Sequence, residues 1–269
     1  MIETTPDIAG EIGKMPLFTG ADPDALAAVV RATSRRRFSR DEQVYRQGAV
    51  PRAFYHVLSG HVRRAIASSE GEEKVIDIVS PGESFGLADL FGGAAHVAFA
   101  ETVAPTVLLE IDKGAVMGAI EADRALMMRV LAAVAHGKVA LERDVAACFF
   151  QSGARRLLDY LLREAGPRLA PVGDTVFQLP VSKRLIAARL GVSAETLSRA
   201  LRELSEAGLI TVRGREIVLR EKLAVRCAAQ AAKSAAAAVL EPVAHERRRR
   251  DAWVEQTSLA RPLGSRAWI

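Results

Sequence analysis

Between Phe38 and about Ile111 the chain alternates short apolar stretches, VYRQG, FYHVLSG, VIDIVSPG and TVLLEID, with turn residues, and glycines fall at Gly48, Gly60, Gly71 and Gly82. Turn signals roughly every 11 residues predict an antiparallel sandwich or roll. The four glycines are expected to supply positive φ in its tight turns.

The pattern then changes period. From Glu121 to about Phe149 there is no proline, and Met127, Leu131, Val134, Lys138, Leu141, Val145 and Cys148 recur in alternating steps of four and three. One such stripe suits a two-helix seam; a single amphipathic helix packed on its own domain is the alternative. The expected seam is Met127, Leu131, Val134, Leu141 and Val145. Lys138 in the same row costs stability while helping to fix register, and Gly137 beside it loosens the helix. Cys148 reads as a small apolar-row residue, with a redox role as the alternative.

The most informative stretch is PVSKRLIAARLGVSAETLSRALRELSEAGLITVRGREIVL. Ser182 can cap a short helix that runs through Ala187 to Leu190 and stops at Gly191. Ser193 can cap a second helix lasting to about Ala207, closed by Gly208. After it, LITV and EIVL flank Arg213-Gly214-Arg215 and predict a two-stranded wing. In the second helix, Leu197, Leu201 and Leu204 gather on one side, while Glu195, Ser198, Arg199 and Arg202 gather opposite. That polar face is either a reading head for DNA or an ordinary solvated surface. Helix, tight turn, helix and wing favour the first, as does local charge: residues 151–220 hold 12 Lys and Arg against 7 Asp and Glu.

With 269 residues, 49% of them hydrophobic, 26% charged and a formal charge of +5, the chain has room for about two domains. No apolar run reaches the ~18 residues of a membrane span, and the first residues lack the basic-then-apolar order of a signal peptide. A cytoplasmic protein with no membrane partner is expected. Cys148 and Cys227 form neither a disulfide framework nor a zinc site, so no metal is expected. There is no phosphate-cradling glycine loop, nucleophile elbow or HExxH pair, which argues against an enzyme.

Over roughly residues 16–220 the chain resembles the Crp/Fnr superfamily of transcription regulators. The segments that carry the resemblance are Pro16-Leu17-Phe18, Phe54-Tyr55 to Leu58-Ser59-Gly60, Pro81-Gly82-Glu83-Ser84-Phe85-Gly86 and the helix-turn-helix, in family order. The resemblance implies an α+β fold with a cyclic-nucleotide-binding-like β-roll over 16–120, a dimerisation helix over 121–150 and a winged helix-turn-helix over 151–220. Residues 221–269, with the run AAQAAKSAAAAVL and Arg247 to Arg250, form an Ala/Arg-rich extension outside the pattern; a loosely docked helix followed by a solvated tail is expected. The motif Glu195-Thr196-Leu197-Ser198-Arg199 is similar to the Glu-x-x-Ser-Arg of the Fnr and Dnr branches, whose half-sites resemble TTGAT. It implies that Arg199 reads guanine, that Glu195 accepts from cytosine while orienting Arg199, and that Ser198 touches a base edge or phosphate. Lys183, Thr196 and Arg202 are then the expected phosphate grips.

The sensory half departs from the cyclic-nucleotide binders. Where these carry Gly-Glu-Leu and, further on, Arg-Ser, this chain reads Gly86-Leu87-Ala88 and His96-Val97. Each lost charge-assisted hydrogen bond costs about 1.5–3 kcal/mol, so cyclic AMP is not the expected ligand. The pocket turn near Gly86, Leu87, His96 and Val97 is left with an unidentified effector. No cysteine precedes Cys148, which excludes an Fnr-type iron-sulfur cluster. The Dnr-like branch implies haem and nitric oxide, with His56, His61, His96 and His136 as candidate axial ligands; redox control is the other option. The expected partners are double-stranded DNA, a second copy of the chain and RNA polymerase. A signal-binding module acting on a protein partner without DNA is the alternative class.

Overall fold

The computed structural model describes residues 7–166, 169 and 173–221. Asp7 caps α1 (Ile8–Lys14), and a 3-10 turn at Pro16–Phe18 leads to α2 (Pro23–Arg31), whose cap Asp22 accepts from the amides of Asp24 and Ala25. Such side-chain oxygens satisfy amides that the first helical turn leaves unpaired.

Eight strands follow: β1 (Thr33–Phe38), β2 (Gln43–Tyr45), β3 (Ala53–Ser59), β4 (Val62–Ala67), β5 (Glu73–Val79), β6 (Ser84–Phe85), β7 (Phe99–Thr102) and β8 (Thr106–Asp112), with a single turn of helix, α3 (Asp89–Gly92), after β6. They pair antiparallel in two sheets, ordered β1-β8-β3-β6 and β2-β7-β4-β5. Phe38, Tyr45, Tyr55, Val57, Val62, Val79, Phe85 and Leu108 fill the space between them. Phe54, Leu109 and Ile111 instead pack with α1, α2 and α4 (Lys113–Ala122). Both faces of β3 and β8 are therefore covered, which is why their sequences run apolar without clean alternation. The four turn glycines all have positive φ, as expected.

The roll is larger than the sequence pattern suggested. Its first strand lies before Phe38, in TSRRRF, where three arginines disguise a strand held by its register with β8. The stretch beginning at Glu121 is also divided: Glu121 and Ala122 end α4, and Asp123 caps a new helix, α5 (Arg124–Phe150), by accepting from the amides of Ala125 and Leu126. Only Leu126 and Val130 of α5 are buried, against the roll.

Ser152 caps α6 (Gly153–Ala165), an amphipathic helix whose Leu157, Leu158 and Leu161 form the floor of a second core. β9 (Thr175–Gln178), α7 (Lys183–Arg189), α8 (Ala194–Glu206), β10 (Ile210–Arg213) and β11 (Glu216–Leu219) complete it. The caps Ser182 and Ser193 and the stops Gly191 and Gly208 fall where the sequence placed them. The wing is a correction: β9 pairs with β11, so the sheet has three strands, ordered β10-β11-β9. This second core continues onto Ala65, Val75, Ile78 and Phe99 of the roll, and Arg189 of α7 approaches Asp77 of β5 at 3.9 Å. Most of the C-terminal extension, including Cys227 and Arg247 to Arg250, lies outside the described residues.

Candidate nucleic-acid interface and sensor pocket

The Ser193 hydroxyl accepts from the amide of Thr196 at 3.1 Å and starts α8; Leu197, Ala200, Leu201 and Leu204 then anchor one face in the core. The opposite face is thereby forced outward, and it carries Glu195, Ser198, Arg199 and Arg202, all exposed. Arg199 Nη2 lies 3.5 Å from Glu195 Oε2, with the two side chains 78% and 85% exposed. A pair so open to water is worth only a few tenths of a kcal/mol, so a base edge or phosphate can compete for either partner. The Ser198 hydroxyl donates to the Ala194 carbonyl at 2.9 Å and keeps its acceptor side outward. Arg202 stands one turn beyond Ser198.

Lys183 begins α7 and is exposed, as is Arg184 beside it. Thr196 differs from the other candidates. It is half-buried, its hydroxyl lies 3.0 Å from that of Ser193, and its methyl faces the backbone of Gly153 on α6. A phosphate contact would share that hydroxyl with the helix cap. At the wing, Arg213 is exposed at the β10 turn, whereas Arg215 donates to the carbonyls of Leu179 at 2.8 Å and Pro180 at 3.0 Å and so fastens β11. Arg184 and Arg213 were not among the expected grips, although their place at a helix start and a wing tip is visible in the sequence.

On α5, Met127, Leu131, Leu141 and Val145 are exposed at 42%, 59%, 58% and 49%, and Val134 is half-exposed. Phe149, at 78%, extends the row; Cys148, expected to be packed, is exposed in the single chain. Lys138 is ion-paired with Glu142, one turn on.

The four residues named for the sensor pocket do not act as one group. Gly86 holds φ at 81° against the backbone of β3, and Leu87 packs into the helix-side core. Val97 is 69% exposed, while His96 is buried at 3%. The His96 ring stacks on Tyr45 at 3.8 Å between centroids, and its Nδ1 meets Asp89 Oδ2 at 2.8 Å. Arg64 completes the cluster: its Nε donates to the Tyr45 hydroxyl at 3.1 Å, and its Nη2 lies 3.7 Å from Asp89. Burial raises the Tyr45 pKa despite Arg64. For Arg64, burial works toward a lower pKa, but Tyr45, Asp89 and Asp77 outweigh it and hold the guanidinium above its usual range. Tyr45, Arg64 and Asp89 were missed because they come from three separate elements, β2, β4 and α3.

The candidate haem ligands do not fit a haem. His56 is buried with Nδ1 2.9 Å from the Ser84 hydroxyl, burial lowering its pKa, and His96 is held as above. His61 belongs to the β3–β4 turn and His136 to the exposed middle of α5. The four are thus spread over separate elements, and aromatic side chains fill the roll between its sheets.

A sensor-type roll joined by a long helix to a winged helix-turn-helix, with an exposed basic face on its second helix, defines a DNA-binding regulator. Comparison with known proteins gives the same class. Residues 35–123 match the cyclic nucleotide-binding domain and residues 155–226 the Crp-like helix-turn-helix domain. The chain is 29% identical to the cyclic AMP receptor protein of Thermus thermophilus over 222 residues, 78% of this chain and 96% of that one. It is 30% identical to the nitrogen fixation regulation protein FixK of Rhizobium meliloti over 171 residues, 64% and 75% of the two chains. The structure of FixK2 from Bradyrhizobium japonicum superposes with a TM-score of 0.60 at 27% identity, covering 71% of this chain and 95% of that one. The chain belongs to the Crp/Fnr family of DNA-binding transcription regulators. Among the described residues no helix is long and apolar enough to cross a membrane.

Proposed function

We propose that the chain acts as a homodimer, joined along α5, on a palindrome of TTGAT-like half-sites whose centres lie about one helical turn apart, roughly 10–11 base pairs. Arg199 donates to guanine O6 and N7, Glu195 accepts from cytosine N4, and Ser198 meets a base edge or phosphate. Lys183, Arg202 and, through its shared hydroxyl, Thr196 grip the backbone. The observation that carries this reading is the Glu195–Arg199 pair, extended on an exposed face and fastened to nothing else among the described residues. A signal sensed in the roll, other than cyclic AMP and other than an iron-sulfur cluster, tunes affinity. The dimer acts in the cytoplasm beside RNA polymerase, and the position of its site sets activation or repression.

Fluorescence anisotropy on the palindrome and on a guanine-substituted copy, across a salt series, tests the assignment. Arg199→Ala should lose about 1–3 kcal/mol per subunit on the palindrome and flatten the preference at the guanine. Lys183→Ala should weaken both sequences alike and reduce the salt slope by about one unit. Equal losses from Arg199→Ala on both sequences would make Arg199 a phosphate clamp and leave the half-site without a reader.

A further inference from the structure

A cleft of about 550 Å³ opens where α5 ends, walled by α5, α6 and α7. That volume is in the range of small-molecule sites. On α5 its wall includes Ala140, Arg143, Asp144 and Ala147, with Gln151 just past the helix end, and it borders the exposed Leu141 and Val145 row at Cys148, which belongs to both.

Charge in the cleft is unbalanced. It is lined by Arg143, Arg156, Arg163 and Arg189 against Asp144 and Asp159. Asp144 already accepts from Arg163 at 3.0 Å and from Arg189, and Asp159 is engaged by Arg155 at 3.2 Å. Arg143 is exposed on the rim and has no acidic partner among the described residues. Arg156 uses Nη1 on the Leu190 carbonyl at 2.6 Å, while its Nε is sealed from water and without an acceptor. Gln151 Oε1, an acceptor, is likewise sealed from water and lacks a donor. An unpaired buried donor is costly, and a guanidinium edge presents a fork suited to two acceptor oxygens. The remaining wall, with Ala147, Phe150, Leu162 and Leu190, is apolar.

We propose that this cleft binds a small amphipathic organic anion, its carboxylate-type head held between Arg143 and Arg156 after a small swing of the Arg156 guanidinium, its apolar body against Phe150, Leu162 and Leu190. Such a ligand touches the dimer helix, α6 and the first helix of the helix-turn-helix together, so its binding fixes the orientation of the DNA-reading unit. That consequence rests on the DNA reading proposed above; the binding itself does not.

Octanoate is a suitable probe, with 1-octanol as its uncharged counterpart. Calorimetry on the full chain, without DNA, should show one octanoate per chain and no saturable heat with octanol. Arg143→Glu, at an exposed position, and Arg156→Gln should each weaken octanoate at least tenfold, and Arg36→Gln on β1 should not change it. Melting curves check that each variant is folded, and Arg143→Glu decides the matter if Arg156→Gln is not. Equal binding of octanoate and octanol, no octanoate binding at millimolar concentration, or unchanged affinity in folded Arg143→Glu would overturn the proposal. Because no DNA is present, loss of palindrome binding in the anisotropy experiment leaves this result standing, and the reverse.

Discussion

Gly60 and Gly71 share a backbone torsion, φ 81° and 83°, yet only one of them is hemmed in. A Cβ at Gly60 would stand 2.4 Å from Thr106 Oγ1 and 2.5 Å from the Pro105 carbonyl, whereas nothing lies within 4 Å at Gly71. Gly71→Ala therefore costs only the left-handed penalty, about 1–2 kcal/mol. Gly60→Ala adds a collision with backbone and should cost clearly more; urea denaturation of the two variants compares them directly, and equal losses would mean that the β3–β4 turn yields freely. The sequence pattern told that both positions are turns, because glycine's freedom is a local property. It could not tell which was crowded, since Thr106 is 46 residues away from Gly60 in the chain. The reading head was legible for the same local reason: Glu195, Ser198, Arg199 and Arg202 share a helix face by spacing alone. Tyr45, Arg64, Asp89 and His96 are brought together only by the closed roll.

At the scale of elements, α5 leaves an apolar row exposed and fastens a neighbouring face to α6 and α7. Leu131 and Leu141 are 59% and 58% exposed, so replacing either by lysine leaves the single chain's packing untouched and puts an unpaired ammonium into any seam between two copies. Burying such a charge costs several kcal/mol. Leu131→Lys or Leu141→Lys should give monomers by sedimentation at micromolar concentration, with DNA affinity falling in parallel; persistent dimers would place the interface on another element. The other face carries Asp144, which ties α5 to Arg163 of α6 and Arg189 of α7. Burial works to raise the Asp144 pKa, but Arg189 and then Arg163 outweigh it and hold the carboxyl below its ordinary value. A carboxyl lowered on folding contributes stability above its unfolded pKa of about 3.9 and loses it as pH falls through the lower folded value. Asp144→Asn should thus cost about 1–2 kcal/mol at neutral pH, discounted for the half-exposed Arg163, and cost progressively less as pH falls below about 4. Chemical denaturation of both proteins at several pH values reads this directly; a loss that stays constant into acid would assign the effect to packing. None of this tie was visible in the heptad pattern, which marks Leu141 and Val145 but says nothing of the polar residue between them. Nor was β9 visible: TVFQ is four residues long and finds its partner β11 only after two intervening helices.

The whole molecule joins a sensor roll to a reading unit through a continuous packed surface, since Ala65, Val75, Ile78 and Phe99 of the roll share a core with α6, α7 and α8. Within the roll, Asp77 is the Cα partner of Arg64, a member of the Arg64, Tyr45, Asp89 and His96 cluster, and it is also the residue that Arg189 of α7 approaches. A change in the cluster therefore has a short path to α7. The cluster is also poorly made for a cyclic nucleotide. On the sequence resemblance, Leu87 and His96 fall where binders of that class carry a glutamate and an arginine. The Asp89 carboxylate beside His96 repels a phosphodiester, and Arg64 is already engaged by Tyr45 and Asp89. Millimolar cyclic AMP should accordingly leave the melting temperature and the affinity for the palindrome unchanged. The thermal test is sensitive, because a ligand at about 100 times its dissociation constant adds about 2.7 kcal/mol to the folded state. Val97→Ser with His96→Arg should not restore binding on its own, since Leu87 still offers no acceptor for a ribose hydroxyl. A clear thermal shift of the unaltered chain with cyclic AMP would mean that Arg64 leaves Asp89 to take the phosphate, and that the buried cluster is a closed form of a working nucleotide site.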